Sequence, residues 1–470
     1  MHGLKGPAPV GELADVLPVG SVLVDPDLVS TYRYDSARDP RAGTPTAVVR
    51  ATCTSDVQKV LTWASEHGVP VVPRGAGSSL SGGASGIDGG VTLSLERMRD
   101  ITVDPVNRVA VVGPGAITAD VKSAAAEHGL WYPPDPSSVE MSSIGGNAAT
   151  NAGGLCCVKY GVTSDYVLGM QVVLADGTAL RLGGPRLKDV AGLALLKLFV
   201  GSEGTLGVIT ELTLRLLPRP SDAATLVASF SSLDAAVEAV VGLTARVRPS
   251  MLELMDKVSI NAVEDMTRMG LDRAAEALLM VRTDTPGESA VEELALIHEV
   301  CGRHGASEIY TSTDPAEGEA LLAARRAALP ALETLGSLLI DDVGVPVPAL
   351  PSLVRRIQAT AARHDVLIAV VAHAGDGNIH PVIVYPTGDC DAEARARRAF
   401  GDIMSAAIEL GGTITGEHGV GRLKAPWLAD QVGRDVMRVT ERIKDALDPR
   451  GILNPGVILE AGDRSPEAGS

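Results

Sequence analysis

The segment HAGDGNIH at residues 373–380 places Gly, Asp, Gly and Asn between two apolar, β-branched arms, LIAVVAH and IHPVIVY. Strong turn formers between two such arms predict a β-hairpin rather than a helix. His373 and His380 then lie on opposite arms near the turn, where directly opposed Cβ atoms are about 5 Å apart. Two imidazoles at this separation can share one cation, although a single histidine at such a position is more often a hydrogen-bonded core residue.

The segment GEHGVGR at residues 416–422 adds a carboxylate and another imidazole. Together with the two hairpin histidines, Glu417 makes the three protein ligands that catalytic metal sites commonly use. Nitrogen and oxygen ligands suit zinc, with manganese or iron as alternatives. His418 supplies a base next to Glu417. Because neighbouring side chains in extended backbone point to opposite faces, both can serve one site only in a sharply turned loop, which the glycines permit.

Length and charge narrow the functional classes. A chain of 470 residues predicts about two or three domains. The net charge of −17 and the lack of a Lys/Arg cluster argue against nucleic acid as a partner. No apolar run reaches the ~18 residues of a membrane span, and the N-terminal sequence lacks the apolar core of a signal peptide, so we expect a cytoplasmic protein. The five cysteines form no CxxC pair, so the sequence predicts neither a disulfide framework nor an iron–sulfur cluster.

The pattern of apolar residues divides the chain. Short strands alternate with helices up to a boundary near residues 218–221, where two prolines precede a serine. From residue 222 to about 385, strands alternate with amphipathic helices, including one predicted over 315–335. The C-terminal part is predicted to be helical over 391–410 and 426–447 and to end in DPRGILNPG and a polar tail.

Three glycine-rich segments predict ligand contacts. The first, PRGAGSSLSGG at 73–83, has the composition of a loop whose amides approach a phosphate, although a plain glycine turn is an equal alternative. The second, residues 133–154, is too rich in Pro, Ser, Gly and Asn for a simple connector and indicates backbone packed against a flat, polar ligand. The third, GSEGTLGVIT at 201–210, repeats this character.

These three loops and the NPG ending resemble the flavin-binding domain of the vanillyl-alcohol-oxidase superfamily, also called the p-cresol-methylhydroxylase (PCMH) type. The histidine segments resemble the branch that contains the FAD-linked component of glycolate oxidase, D-lactate dehydrogenase and D-2-hydroxyglutarate dehydrogenase. The resemblance implies an α+β fold with three parts. These are a PCMH-type FAD-binding domain of two α+β subdomains (1–219), a cap with a helix-covered antiparallel sheet (220–410), and a C-terminal segment returning to the FAD domain (411–470).

The resemblance also implies which residues bind the cofactor. Relatives with covalent FAD often carry a histidine in the first loop, where this chain has Ser78 and Ser79, so we expect noncovalent FAD. The implied FAD-binding residues are Pro73, Arg74, Gly75, Ala76, Gly77, Ser78, Ser79, Pro134, Asp135, Ser138, Gly145, Gly146, Asn151, Gly154, Glu203, Gly207 and Ile209, the last three at the adenine end.

In the cap, the resemblance assigns the metal ligands to His373, His380 and Glu417, with Asn378 nearby in contact with substrate, and the catalytic base to His418. Arg325 matches an arginine that binds the substrate carboxylate. The implied reaction is oxidation of a 2-hydroxy acid: the metal acidifies the hydroxyl, the base takes its proton, and a hydride passes to the flavin.

The choice of substrate and partners is less constrained. D-2-hydroxyglutarate enzymes carry a basic residue shortly before the Val-Pro strand, where this chain has Ile340, which favours D-lactate or glycolate. D-2-hydroxyglutarate stays an alternative. Two other classes are a flavin-dependent alkyl transferase, as in ether-lipid synthesis, and a non-catalytic flavin subunit. The electron acceptor is expected to be oxygen, a quinone, an electron-transfer flavoprotein or a cluster-bearing subunit, and a homodimer is an open alternative.

Overall fold

The computed structural model describes residues 9–459, so the first residues and most of the polar tail lie outside it. The N-terminal half contains two sheets of four and five strands, ordered β1-β2-β4-β3 and β5-β6-β10-β8-β9, and a small β11-β7 pair. Its strands are β1 (Val22–Leu23), β2 (Ala47–Arg50), β3 (Val71–Arg74), β4 (Val91–Ser94), β5 (Ile101–Asp104), β6 (Val109–Val112), β7 (Leu130–Trp131), β8 (Val167–Val173), β9 (Ala179–Gly183), β10 (Val208–Arg215) and β11 (Leu217–Pro218). Its helices are α1 (Gly11–Val16), α2 (Pro26–Ser30), α3 (Thr54–His67), α4 (Thr118–Ala126), α5 (Ile144–Thr150), α6 (Cys157–Tyr160) and α7 (Leu195–Phe199).

The chain changes sheet after β11. The second half forms one antiparallel sheet, ordered β15-β12-β14-β13-β18-β19-β16, with β17 also paired to β19. Its strands are β12 (Ala224–Phe230), β13 (Met251–Asp256), β14 (Ala277–Thr283), β15 (Ala306–Ser312), β16 (Ser337–Ile340), β17 (Val343–Gly344), β18 (Leu367–His373) and β19 (Asn378–Tyr385). The helices that follow β11 are α8 (Leu233–Thr244), α9 (Lys257–Thr267), α10 (Glu288–Arg303), α11 (Pro315–Arg326), α12 (Ala328–Glu333), α13 (Leu350–His364), α14 (Cys390–Glu409), α15 (Ala425–Val432) and α16 (Arg434–Leu447).

Helices cover both faces of this large sheet. Leu254 belongs to a core shared with α8, α10, α13 and α14, whereas its neighbour Met255 belongs to a core shared with α9, α11 and α12. Successive side chains in a strand point to opposite faces, so β13 contributes side chains to both cores. The predicted α+β architecture, with an antiparallel cap sheet covered by helices, is confirmed.

The C-terminal segment returns to the first half, as expected. Leu453 forms a parallel bridge with Val71 of β3, and the amide of Asn454 donates to the carbonyls of Gly83 and Glu203. The last helix also packs onto the core of the five-stranded sheet through Ile443. The loop of residues 416–422 also contacts the first half, because the amides of Val420 and Gly421 donate to Glu203.

Two predicted helices are each split in two. Over 315–335 the helix divides at Ala327 into α11 and α12, because Pro330 lacks an N–H group and its ring crowds the carbonyl four residues earlier. Over 426–447 the division falls at Gly433, whose φ of 86° and ψ of 154° are far from helical values and are accessible mainly to glycine.

Candidate active site

The two hairpin histidines lie on one face of the β18–β19 pair. The hairpin is confirmed, but the register differs from the direct opposition that the sequence suggested: His373 pairs with Asn378, and His380 pairs with Val371. The histidines are therefore diagonal neighbours, which still share a face because side chains alternate along a strand. Their ring centroids are 5.0 Å apart and their planes are nearly perpendicular.

Three imidazoles converge on one carboxylate oxygen. Oε1 of Glu417 lies 3.1 Å from Nε2 of His373, 3.3 Å from Nε2 of His380 and 3.8 Å from Nε2 of His418. One ligand atom from each of His373, His380 and Glu417 falls within 4.8 Å of the others, which is the spacing of donors around one cation. The structure thus brings together the three residues predicted to hold a metal, with His418 beside them.

The charges around His373 favour a cation at this point. Burial by itself would lower the pKa of His373, but Glu253 and Glu417 raise it well above its usual range. For Glu417 the directions are reversed: burial by itself would raise its pKa, but His373 and His380 hold the pKa well below its usual range. A carboxylate held ionised among imidazoles is the donor set of a catalytic zinc, manganese or iron site, so the residues fit such an ion.

Glu253 was missed by the sequence analysis. It lies on β13, fully buried, with Oε1 at 2.8 Å from Nδ1 of His373 and Oε2 at 2.8 Å from Nε of Arg325. A carboxylate behind a ligand histidine fixes the tautomer and orientation of the ring. The available signal was one acidic residue inside the otherwise apolar run MLELM.

Arg325 lines the same cavity as His380 and His418. Its side chain is only 4% exposed, and its Nη2 atom has no hydrogen-bond partner among residues 9–459. A buried guanidinium with an unused donor facing a cavity is a candidate partner for an anion. The neighbouring Arg326 also reaches this cavity, but its side chain is 38% exposed and pairs with Asp135 and Glu319.

Asp342 holds the loop that carries Glu417 and His418, and it too was missed. Its Oδ2 atom accepts hydrogen bonds from the backbone N–H groups of Gly416, Glu417 and His418 at 2.8–3.0 Å. Three successive N–H groups can meet one oxygen only in a tightly curled backbone, which is the sharp turn that the sequence required. The turn directs both side chains toward one site.

His418 lines the same cavity as Arg325 and is unprotonated at neutral pH. Burial lowers its pKa to about 4, although Asp342 opposes the shift, so the imidazole is neutral at pH 7. Its ring stacks on that of His380 with centroids 4.9 Å apart, and its Nδ1 atom has no hydrogen-bond partner among the described residues.

The first cavity, of about 480 Å³, extends from this cluster along the glycine-rich loops. Close packing explains the glycines: a Cβ at Gly75 would lie 2.1 Å from Oγ of Ser143. Backbone amides and hydroxyls along its walls fit a flavin dinucleotide. The predicted FAD residues that line the cavity are Pro73, Arg74, Gly75, Ala76, Gly77, Ser78, Ser79, Ser138, Gly145, Gly146, Glu203, Gly207 and Ile209.

Four predicted FAD residues do not line this cavity. Pro134 is buried, Asp135 lies 3.2 Å from the ammonium group of Lys122, and a Cβ at Gly154 would collide with the Asp135 carbonyl. Asn151 lies at the C-terminal end of α5, and its side chain accepts a hydrogen bond from the backbone amide of Ser164. These four residues therefore support the conformation of the second glycine-rich segment without lining the cavity.

Glu203 and Asn378 have structural partners that the sequence did not reveal. Glu203 accepts hydrogen bonds from the amides of Val420 and Gly421, so it joins the third glycine-rich loop to the loop of Glu417. The amide of Asn378 donates to Asp342 and to the carbonyl of Val343. Asn378 therefore supports Asp342, and it is not among the residues that line the first cavity.

Comparison with known proteins gives two family matches. Residues 45–183 match a family described as FAD binding domain, and residues 219–458 match one described as FAD linked oxidases, C-terminal domain. Among the described residues, no helix is both long and apolar enough to cross a membrane.

Curated relatives span nearly the whole chain. Glycolate oxidase subunit GlcD of Bacillus subtilis is 42% identical over 91% of this chain and 92% of its own length. D-lactate dehydrogenase of Archaeoglobus fulgidus is 35% identical over 91% of this chain and 95% of its own. The crystal structure of p-cresol methylhydroxylase with substrate bound, 18% identical, aligns with a TM-score of 0.79 over 96% of each chain, which confirms the PCMH-type fold. The chain belongs to the family of FAD-linked oxidases.

Proposed function

We propose that this protein oxidises a 2-hydroxy acid to the 2-oxo acid, with noncovalent FAD and a divalent cation held by His373, His380 and Glu417. One observation carries the proposal: three imidazoles and a carboxylate converge at the end of the cavity lined by the glycine-rich loops. The flavin would supply a hydride acceptor, and the cation would polarise the substrate hydroxyl.

The residues of the chain have separate parts in this reaction. Arg325 binds the substrate carboxylate, because its guanidinium is buried and has an unused donor. Neutral His418 accepts the hydroxyl proton, because its ring lines the cavity beside Glu417 and its Nδ1 atom has no hydrogen-bond partner among the described residues. A ring with a pKa of about 4 is a weak base, so the proton transfer requires a cation that acidifies the hydroxyl. Glu253 fixes the orientations of Arg325 and His373 at the same time.

The cavity wall favours a small monocarboxylate. Leu329, Ile340 and Val371 are apolar residues of its lining, and the second arginine there, Arg326, is already paired with Asp135 and Glu319. We therefore propose D-lactate or glycolate, in line with the names of the two relatives. We also propose an external electron acceptor, such as a quinone or another electron-transfer protein, and a cytoplasmic location. An acceptor panel and cell fractionation test these two points.

The decisive experiment has two measurements on purified holoprotein. Metal analysis should find close to one divalent ion per chain, and anaerobic titration with D- and L-2-hydroxy acids should bleach the flavin with D-lactate or glycolate. Metal without bleaching by any hydroxy acid would point to an alkyl transferase. Bound FAD without metal and without bleaching would indicate a non-catalytic flavin subunit. Bleaching by D-2-hydroxyglutarate alone would overturn the choice of substrate.

A further inference from the structure

A second cavity, of about 470 Å³, lies beside the ligand cluster. Glu417 lines both cavities, His373 lines only the second, and His380 and His418 line only the first. The three predicted metal ligands therefore form part of the wall that separates the two spaces. A cation in this wall would be accessible from either side.

The second cavity reaches from the surface to the cluster. Asp376, Pro346 and Gly411 on its rim are exposed, whereas His373 at its inner end is buried. At Gly153 the wall comes so close to the cluster that a Cβ would lie 2.8 Å from Oε2 of Glu417. The absence of a side chain there keeps the carboxylate accessible from this side.

The first cavity is a poor route for a metal ion in the working enzyme. Its walls are the glycine-rich loops and Arg325, so bound FAD and substrate would occupy the space through which an ion would have to pass. Two carboxylates line the second cavity: the exposed Asp376 and, at the cluster, Glu417. Oxygen and imidazole donors along one path suit the passage of a divalent cation.

We propose that the second cavity is the route by which the divalent cation enters and leaves its site while FAD stays bound. The inference rests on the proposed function, because it requires a cation at His373, His380 and Glu417. Asp376 attracts the ion to the rim, and the ion then reaches Glu417 without disturbing the first cavity.

Paired tryptophan substitutions test the route. Val162 lines the second cavity and Met141 lines the first. The backbone amide of Val162 donates to Asp165 and that of Met141 to Ser138, so neither residue is bonded to the metal-ligand cluster. FAD-loaded, metal-free protein is mixed with Zn²⁺ to measure uptake, and Zn²⁺-loaded protein is mixed with a chromogenic chelator to measure release. Val162→Trp should slow both rates by about tenfold or more and leave the Zn²⁺ Kd unchanged, whereas Met141→Trp should change them by less than about twofold.

The rim carboxylate provides a second, milder test. Asp376→Asn should slow Zn²⁺ uptake by about threefold to tenfold at low ionic strength, and the difference should shrink as salt is added, because electrostatic steering is screened. This variant also decides the matter if Val162→Trp does not fold.

The outcomes separate this inference from the proposed function. Wild-type protein that binds no Zn²⁺ would contradict the metal site itself. Wild-type protein that binds Zn²⁺ at rates unaffected by Val162→Trp and Asp376→Asn, or slowed only by Met141→Trp, would leave the metal site standing and overturn the route.

Discussion

The Nδ1 atom of His373 lies 2.8 Å from Oε1 of Glu253, a carboxylate that is itself fully buried on the neighbouring strand. The two residues pair across the β13–β18 ladder, so the backbone register fixes their distance. The opposite nitrogen of the ring faces Glu417. This chain of contacts orients the imidazole before any ion arrives.

Removal of the Glu253 charge should weaken metal binding. Glu253→Gln keeps the shape of the side chain but not the charge that orients His373, and loss of such a partner typically costs about 10- to 100-fold in metal affinity. Competition with a chelator measures the change in Kd. FAD content should stay at the wild-type level, and an unchanged metal Kd would show that Glu253 does not support the metal site.

Loss of the proposed base should slow chemistry and spare binding. His418→Ala removes the proton acceptor, so flavin reduction in a single anaerobic turnover should slow by ~10²-fold or more. Metal and FAD contents should be retained, because His418 is outside the predicted ligand set. An unchanged rate of flavin bleaching would remove His418 from the reaction.

The two adjacent arginines should differ in their effect on substrate. Arg325→Met removes the buried guanidinium that faces the cavity, which should weaken hydroxy-acid binding by about 2–3 kcal/mol, the magnitude of a hydrogen bond to a charged group. Arg326→Met is the matched control, since its side chain is 38% exposed and makes surface pairs that contribute little. Equilibrium titration of the flavin spectrum with a substrate analogue measures both Kd values. Equal effects would contradict the assignment.

The neighbouring aspartates should respond in opposite ways to the same substitution. Asp342→Asn removes the charge that accepts three backbone N–H groups and faces the buried ammonium of Lys424, so we expect a loss of about 3 kcal/mol or more in the free energy of unfolding. Neither carboxylate oxygen of Asp341 has a hydrogen-bond partner among residues 9–459. Asp341→Asn should therefore be neutral or stabilising.

The Asp341 comparison also predicts a pH dependence. Burial raises the pKa of Asp341 well above its usual range, so the folded protein holds this proton more tightly than the unfolded chain. Stability that depends on Asp341 is therefore present at low pH and is lost as the pH rises from about 4 through the folded pKa. Denaturant unfolding at pH 5 and pH 8 should show the advantage of Asp341→Asn over the wild type growing with pH. A difference that does not vary with pH would contradict this account.

The amino-acid sequence by itself determined the local secondary structure and the identity of the predicted metal ligands His373, His380 and Glu417. Turn formers between β-branched arms specify the hairpin of His373 and His380, and the glycines around Glu417 permit its curled loop, because both effects act through nearby backbone. The break at Ala327, which Pro330 causes, was equally local and could have been predicted, since a proline in a helix lacks the N–H group.

Tertiary structure decided which residues meet. Glu253, Asp342 and Arg325 lie 120, 31 and 48 residues before His373, and no local pattern relates them. The register of β13 against β18 brings Glu253 to His373, and the curled backbone at residues 416–418 forms around Asp342. Long-range pairing of this kind depends on the packing of the whole sheet. It therefore determines the position of the Glu253 carboxylate, the conformation of the loop around Asp342 and the two cavities on either side of Glu417.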